Sequence, residues 1–228
     1  MANTTKQPQQ AAPTMEETLN KSEAFFLKYK KAIIAVVVAL IVIIAGAVLY
    51  KTYISEPNEQ KASTAIAKGQ ELFAQGQFQQ ALDGDSVGFK GFAKLADEYS
   101  STKAGNLANL YAGLCNAQLG KWEAAVKFLE NYDGSDDQMI SPAAEGALGN
   151  AYAHLNQLDK AVSHLKKAAE KADNNSLSPT YLIQAGEILE SQGKADEALK
   201  LYQTVKEKYF NSMQYQIIDE YIQRISAK

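Results

Sequence analysis

The side chains that could do chemistry are few, and their spacing limits what they could do. His154 and His164 stand ten residues apart without a cysteine or an HExxH-type partner nearby, so they do not predict a zinc site. Asp133–Asp137 begins like a calcium loop, but Ala144 replaces the glutamate that closes such a loop. No Walker loop or dinucleotide-binding glycine pattern occurs. We therefore expect no catalytic, cofactor-binding or metal-binding residues, and no enzyme.

Two further side chains could react. Cys115 is the only cysteine, which excludes an intrachain disulfide, and its apolar helical surroundings predict a small buried hydrophobic residue. Asp85-Ser86-Val87 resembles the Asp-Ser/Thr-aliphatic acceptor that some bacterial O-glycosylation systems use on exported proteins. Ser86 is therefore a candidate O-glycosylation site, and a plain turn is the alternative.

An apolar run lies near the N-terminal end of the sequence. Residues 32–50 contain no charge and no polar side chain except the hydroxyl of Tyr50. A helix of that length covers roughly 28 Å, close to the ~30 Å hydrocarbon layer of a membrane. A soluble core helix of this length would show a polar face. We therefore expect a transmembrane signal anchor at 32–50.

A cleaved signal peptide is the alternative for the same run. Ala45-Gly46-Ala47 fits a small-x-small cleavage site after a short apolar stretch. Against cleavage, the apolar pattern continues without a break to Tyr50, and the preceding segment of thirty-one residues is long for a signal peptide. A retained anchor is favoured, and cleavage at Ala47 stays open.

Flanking lysines predict the orientation of the anchor. Four lysines lie within residues 21–31, whereas only Lys51 and Lys61 follow the run closely. Because the more basic side stays in the cytoplasm, residues 1–31 form a cytoplasmic tail, polar and partly disordered. The domain beyond residue 50 is then exported, which in a bacterial inner membrane places it in the periplasm. Ala35-x-x-x-Ala39 is a small-xxx-small pattern that would suit a homo-oligomer.

Composition excludes one class of partner. The 178 residues beyond the run hold 18 basic and 23 acidic side chains, a net charge of −5. Nucleic-acid binders carry a clustered basic surface instead. We therefore expect protein partners and a membrane, and no nucleic acid.

The exported segment repeats itself. Four stretches align on a glycine with spacings of 44, 36 and 37 residues, which indicates a repeat of two helices with loop additions. The aligned glycines would lie where the two helices of a unit approach too closely for a Cβ atom. They are Gly69, Gly113, Gly149 and Gly186.

Other aligned positions have physical roles too. A turn residue that tolerates positive φ is expected to end each first helix, at Gly76, Gly120, Asn156 and Gly193. Small residues of the second helix recur at Ala81, Ala125, Ala161 and Ala198. Leu129, Leu165 and Tyr202 are expected to fill the space to the neighbouring unit. Ser141 and Ser178, each before a proline, are expected to cap helices.

This phasing resembles the tetratricopeptide repeat (TPR) family, most closely in the third unit. The fold expected is all-α: an N-terminal transmembrane helix, a TPR helical-hairpin solenoid and a C-terminal capping helix. A linker at 51–60 would precede about four units at 61–210, with a loop insertion at 83–91, and the cap would occupy 211–228.

The resemblance implies a concave groove lined by the first helices. Its mixed apolar and neutral-polar character suits a helix or an extended peptide. The TPR variant that clamps a C-terminal carboxylate needs Lys, Arg and Asn in the groove, and only Asn150 matches. Carried over by phase, the groove residues are Ile66, Gln70, Leu110, Leu114, Gln118, Asn150, His154, Ile183, Glu187 and Ser191.

The order of parts is similar to the YfgM-like ancillary subunits of the SecYEG translocon. The resemblance rests on the layout, the "FFLKYKKAIIAV" entry to the anchor and the "KAGNLANLYAGL" helix. It implies a membrane-tethered periplasmic adaptor that contacts translocon subunits, periplasmic chaperones or exported clients. A structural scaffold in an outer-membrane or division complex is the alternative.

Overall fold

Helices account for all regular structure in the part of the chain that the structure describes. That structure, a computed structural model, describes residues 15–135 and 139–227, and no strand occurs in those ranges. By internal contacts the chain divides into two units, Met1–Ile54 and Ser55–Lys228. The all-α fold expected from the repeat pattern is confirmed.

The first unit contains one helix, α1 (Met15–Tyr50). The aliphatic side chains from Ile34 to Leu49 are largely exposed. The described residues include one helical stretch long and apolar enough to cross a membrane. It begins at Leu27, its most apolar window has a mean hydropathy of 3.3, and none of that window is buried.

The residues expected to form a linker at 51–60 are helical. Lys51–Ser55 forms a π-helix, and α2 spans Glu56–Ala74. Pro57 lies in the first turn of α2 and has no backbone N–H to donate to the preceding helical turn, and the departure from α-helical bonding at Lys51–Ser55 lies just before it. Helical structure therefore starts before residue 61, the expected start of the repeats.

Helical hairpins make up most of the second unit. Each pairs a first helix with a second one, and α4 and α11 are additional. The bounds are α2 (Glu56–Ala74) with α3 (Phe78–Asp83), α4 (Phe92–Glu98), α5 (Lys103–Gln118) with α6 (Trp122–Glu130), α7 (Ser141–His154) with α8 (Leu158–Ala172), α9 (Ser178–Ser191) with α10 (Ala195–Lys208), and α11 (Ile218–Ser226).

The hairpin turns have the left-handed backbone expected from the sequence. Gly193 has φ +74° and Asn156 has φ +56°, and Gly76 and Gly120 are similar. In each turn a backbone N–H just after this residue returns to a carbonyl of the first helix, as from Lys194 to Leu189 at 2.9 Å. The expected turn residues are confirmed at all four positions.

We expect Gly193→Ala to lower the free energy of unfolding by about 1–2 kcal/mol, because a Cβ atom is strained at positive φ. Asn156→Gly should change it by less than about 0.5 kcal/mol, since relief of strain is offset by greater freedom of the unfolded chain. Urea unfolding of the detergent-solubilised chain, followed by circular dichroism, measures both. Equal effects would contradict this explanation of the turn.

Close packing between the two helices of a hairpin depends on the aligned glycines. A Cβ atom on Gly186 would lie 2.4 Å from Cε1 of Tyr202, and one on Gly149 would lie 2.8 Å from Cγ of Leu165. Tyr202 and Leu165, like Leu129 over Gly113, therefore lie above the glycine of their own unit. Leu129 also shares a core cluster with Ala144 and Leu148 of the next unit, and the Tyr202 ring lies 5.2 Å from that of Tyr221 on α11, so the expected contact to the neighbouring unit accompanies the contact within the unit.

The first repeat, which consists of α2 and α3, departs from this arrangement after α3. Phe89, from the loop that follows α3, and Phe92, the first residue of α4, both approach Gly69, where a Cβ atom would lie 2.5 Å from either ring. Their rings meet edge to face with centroids 5.8 Å apart. Aromatic rings from the loop after α3 and from the start of α4 thus occupy the place that a second-helix leucine or tyrosine has in the other units.

Ser141 and Ser178 do not act as N-caps. The capping positions are Ile140 and Leu177, and both serines are already helical. Ser178 Oγ instead accepts from the backbone N–H of Asn174 at 3.0 Å and donates to the carbonyl of Ala169 at 2.8 Å, which joins α9 to the end of α8. The expected capping role was wrong because these hydroxyls bond to neighbouring segments.

The helices of the C-terminal segment cover fewer residues than the cap expected at 211–228. A 3-10 helix, Met213–Gln216, comes first, with Ser212 Oγ accepting from the N–H of Tyr215 at 3.1 Å. In α11, Ile218 and Ile225 are buried against α10, so this helix covers the last hairpin. Terminal covering of this kind is what a repeat solenoid requires.

Candidate protein-binding cleft

An open cleft lies across the first helices α5, α7 and α9. Its volume is about 760 Å³, within the range of roughly 300–1,000 Å³ typical of ligand sites. The side chains that line it are apolar, aromatic or neutral-polar. They are Leu114, Ala117, Gln118, Gly120, Trp122, Ala147, Asn150, Ala153, His154 and Gln184.

The repeat explains why these residues share one surface. Residues three or four apart on a helix share one of its faces, and α5, α7 and α9 lie side by side in successive repeats, so equivalent faces of these helices adjoin. Ala117, Ala147 and Ala153 are partly buried on these faces and line the cleft. Because their side chains are small, the space between the helices stays open.

A stacked aromatic pair forms one wall of the cleft. The rings of Trp122 and His154 are nearly parallel, with centroids 3.7 Å apart and an interplanar angle of 3°. Trp122 begins α6 and His154 ends α7, so the stack joins neighbouring hairpins. It provides a broad, rigid surface that fits planar or apolar groups.

An unpaired amide lies in the same lining. Gln184 Oε1 is buried and makes no hydrogen bond within the described part of the chain. Asn150 and Gln118, on the neighbouring helices, are exposed. Amide side chains both donate and accept, so this surface can pair with either polar group of a peptide backbone.

The structure brings together four of the ten groove residues expected from the sequence. Leu114, Gln118, Asn150 and His154 all line the cleft. Gln70 donates to the hydroxyl of Tyr111 at 3.0 Å, outside this lining, and Glu187 accepts from Tyr221 at 3.3 Å. Ser191 is exposed, and its hydroxyl donates to the carbonyl of Ile188 at 2.6 Å.

Three expected groove residues are in the core instead. Ile66, Leu110 and Ile183 are 4%, 3% and 7% exposed. Each stands three residues before an aligned glycine, which places it only about 60° from the glycine's direction on the helix. That direction points into the hairpin, so these side chains are not available to a partner.

Sequence reasoning missed Trp122, Gln184 and the three alanines of the lining. Gln184 stands two residues before Gly186, as Ala147 does before Gly149. Helical spacing from Asn150 would have found Ala147, Ala153 and His154 together, because residues three or four apart share a face. Nothing in the spacing indicates that Trp122, on a second helix, joins them.

A separate charged cluster joins α7 to α8. The Glu145 carboxylate, with 11% of its side chain exposed, lies 2.6 Å from Lys167 Nζ, 3.1 Å from Lys171 Nζ and 2.9 Å from His164 Nδ1. Lys171 also donates to Ser141 Oγ at 2.6 Å. Burial raises the pKa of Glu145, but hydrogen bonds from Lys167, His164 and Lys171 outweigh it and hold the pKa below the ordinary 4.5. The cluster, which includes His164, links α7 to α8 through ion pairs and hydrogen bonds.

Cys115 is fully buried, and burial, with a smaller effect of Asp83, raises the pKa of its thiol to about 12. Since the thiolate is the reactive form, we expect the folded chain not to react with a thiol reagent at neutral pH. One thiol per chain should react after unfolding in urea, as measured by absorbance of the released chromophore. Equal labelling rates before and after unfolding would contradict the burial.

The loop between α3 and α4 presents Ser86. Asp85 Oδ1 accepts from the N–H groups of Phe89 at 2.8 Å and Val87 at 2.9 Å, and these bonds, Phe89 foremost, lower the Asp85 pKa. Ser86 is exposed, and Val87 is 88% exposed. The tight turn thus holds both side chains toward solvent.

The same loop, Gly84–Gly88, also fits the Gly-x-Ser-x-Gly pattern of hydrolase nucleophiles. That chemistry needs a strand before the serine, a helix after it and a histidine base. Here the loop joins two helices, and both histidines lie on α7 and α8. Among the described residues no group of three or more His, Cys, Asp or Glu side chains could hold a metal ion.

The chain matches a model of a known protein family. The family model described as "Tetratricopeptide repeat-like domain" matches residues 23–219, well over half of the chain. No curated protein matches it.

Proposed function

The chain belongs to the tetratricopeptide repeat-like domain family, and from this premise we propose that it is a non-catalytic, membrane-tethered adaptor that binds other proteins. The observation that carries the proposal is the cleft across α5, α7 and α9, with its stacked rings and exposed amides. Repeat solenoids present such extended surfaces to protein partners.

A tether fits the exposed apolar side chains of α1. We propose a single crossing of a bacterial inner membrane by residues 32–50, with residues 1–31 in the cytoplasm and the repeats in the periplasm. The lysines before the run support this orientation. Confinement at the membrane raises the local concentration of the cleft, so that weak contacts suffice.

The likeness of layout to the YfgM-like translocon subunits favours partners near the Sec translocon. On this proposal the cleft receives exported proteins as they emerge and passes them to periplasmic chaperones. Transient binding of many clients suits a neutral surface without a dedicated ionic clamp.

A permanent scaffold in an envelope-assembly complex is the second candidate. It is favoured by the exposed apolar side chains of Phe210, 59% exposed, and Met213, 85% exposed, near the C-terminal end of the solenoid. Exposed apolar residues in one region are typical of lasting interfaces. The two candidates differ in whether the partners are few and fixed or many and transient.

Photo-crosslinking in cells from a probe at Asn150 tests the proposal. We expect translocon subunits, chaperones and varied exported proteins among the products, identified by mass spectrometry. A probe at Gln203, exposed on α10, is the control and should give few of them. One fixed set of assembly proteins would favour the scaffold, and no products from Asn150 would refute binding in this cleft.

We also propose that Ser86 carries an O-linked glycan. Its exposure in a fixed turn, beside Asp85 and the exposed Val87, supports this. The intact mass of the purified chain should exceed the mass of the unmodified chain, and Ser86→Ala should remove the excess. A mass equal to that of the unmodified chain would refute the proposal.

A further inference from the structure

The connections between successive hairpins lie on one edge of the repeat domain. Glu59, in the first turn of α2, accepts a hydrogen bond from the N–H of Lys103, the first residue of α5, at 2.7 Å. Asn106, about one turn further along α5, donates to the carbonyl of Asp133, in the connection after α6, at 2.7 Å. The start of α2, the start of α5 and the α6–α7 connection are therefore neighbours.

The same edge continues to the C-terminal end of the domain. Lys171, near the end of α8, donates to Ser141, the first residue of α7, at 2.6 Å. Gln214, between α10 and α11, donates to Thr180, in the first turn of α9, at 2.9 Å. We call this row of connections, together with the start of α2, the connection edge. The turns within the hairpins, at the other ends of the helices, form the opposite edge.

Exposed apolar side chains are concentrated on the connection edge. Among the described residues of the second unit, the large apolar side chains that are well exposed lie in these connections, except Val87 in the loop after α3. Ile140 and Leu177 are each 37% exposed, Phe210 is 59% exposed and Met213 is 85% exposed. A concentration of exposed apolar surface marks a contact with a protein or with a membrane.

The last connection has the composition of a segment that contacts lipid. Residues 209–217 contain no charged side chain and include Phe210, Met213, Tyr215 and Ile217. The other residues of this segment carry hydroxyl or amide groups. Bulky apolar side chains can enter the boundary between lipid headgroups and acyl chains, while tyrosine and other polar groups stay at the level of the headgroups.

The proposed tether would hold a bilayer near this edge rather than near the opposite one. Glu56, the first residue of α2, follows Tyr50, the last residue of the apolar run, by six positions. Six residues reach about 20 Å at most, even when they are fully extended. A first helix such as α5, with 16 residues, carries its turn about 24 Å further away. On the proposed topology, the edge held near the bilayer is therefore also the apolar edge.

We propose that the connection edge lies on the bilayer that holds α1, and that Phe210 and Met213 insert at the boundary between headgroups and acyl chains. The inference rests on the membrane tether of the proposed function and adds a second contact with lipid. Because residues 209–217 carry no charge, this contact depends on apolar burial and needs no anionic lipid. The first helices then point away from the bilayer, and the cleft across them opens sideways, along the membrane surface.

Quenching of tryptophan fluorescence by brominated lipid tests this contact. Trp122 is the only tryptophan and lies near the α5–α6 turn, on the opposite edge, so the native chain supplies the background emission. The full chain is reconstituted in phosphatidylcholine vesicles with or without bromine on the acyl chains. Phe210→Trp should lose most of its added emission in brominated vesicles, whereas the native chain should lose little. Gln157→Trp, at an exposed position in the α7–α8 turn, is the matched control and should also lose little.

A charge on the inserted segment should release it from the lipid. Met213→Asp in the Phe210→Trp chain should lower the ratio of lipid-bound to free edge at least about tenfold, because a carboxylate loses water at the acyl boundary. The quenching should fall with this ratio. Gln157→Asp, which adds the same charge on the opposite edge, should leave the quenching unchanged. High salt should not reduce the quenching, since salt screens charges and not apolar burial.

A tryptophan in α1 separates this inference from the tether. If Val42→Trp is quenched and Phe210→Trp is not, α1 lies in the bilayer, the tether stands and the inference is wrong. Equal quenching of Phe210→Trp and Gln157→Trp would also overturn the inference, because neither edge would then be preferred. Protection of Phe210→Trp that increases with the protein-to-lipid ratio would overturn it too, in favour of a second copy of the chain on this edge. If Val42→Trp is not quenched, the tether itself fails, and the inference fails with it.

Discussion

Tyr202→Ala is expected to lower the free energy of unfolding by about 3–5 kcal/mol, the usual cost of deleting a large buried aromatic side chain. Tyr202 is fully buried and its ring covers Gly186. Its hydroxyl donates to Glu190 Oε1 at 2.6 Å, and Arg224 of α11 reaches the same oxygen at 2.5 Å. The substitution therefore removes packing within the last hairpin and disturbs the attachment of α11. Urea unfolding of the detergent-solubilised chain measures the loss.

Two controls separate the contributions to this loss. Tyr202→Phe keeps the ring and should cost only about 0.5–1.5 kcal/mol, the net value of one hydrogen bond. Gly186→Ala should cost about 1–3 kcal/mol in the native chain, because its methyl group meets the Tyr202 ring. Beside Tyr202→Ala the same methyl group enters the vacated space, so its cost should vanish. Additive losses in the double variant would contradict direct contact of ring and glycine.

Glu145→Gln is expected to lower the free energy of unfolding by about 1.5–3 kcal/mol at neutral pH, since hydrogen bonds to a charged group are lost. The loss should remain below the roughly 3–5 kcal/mol of a fully buried ion pair. The reason is that the side chain of Lys167 is 54% exposed and that of Lys171 is 33% exposed, so both can regain water. Glu170→Gln, an exposed carboxylate on α8, is the control and should have little effect.

The contribution of the Glu145 carboxylate to stability should depend on pH in the acid range. The folded-state pKa of Glu145 lies below its ordinary 4.5, so its contribution is fully present above that value. It is lost as the pH falls from 4.5 through the lower folded-state pKa. The native chain should therefore lose more stability than Glu145→Gln in this window, measured by unfolding from about pH 7 to about pH 3. Parallel curves for the two chains would show that Glu145 is not responsible.

The features that could be predicted from sequence are those that each repeat determines for itself. Gly193 and Asn156 end a helix within their own hairpin, so the local pattern was sufficient to predict positive φ. The same holds for Ala161 and Ala198, which are fully buried. Because the pattern occurs in four aligned copies, each copy supports the assignment made in the others.

The cleft was harder to predict because it depends on how three hairpins pack together. Gln184 on α9 and Trp122 on α6 are far apart in the sequence, and no single repeat brings them together. Ile183, next to Gln184, was expected in the groove, but a rotation of about 100° per residue turns it into the core. The placement of Ile183 in the groove was thus wrong by one position in the helix, a difference that the repeat phase alone did not resolve.

The arrangement of hairpins also has a consequence for how fast the repeat domain folds. From α7 to α11, each α-helix packs on the next one along the chain, as α8 does on α9 and α10 on α11. Chains dominated by such short-range contacts fold in microseconds to milliseconds, far faster than long-range β-structures. On the proposed topology, in which the repeat domain crosses the membrane unfolded, its C-terminal hairpins would thus form soon after they emerge. The interval in which its own apolar segments could occupy a neighbouring molecule's cleft would be brief.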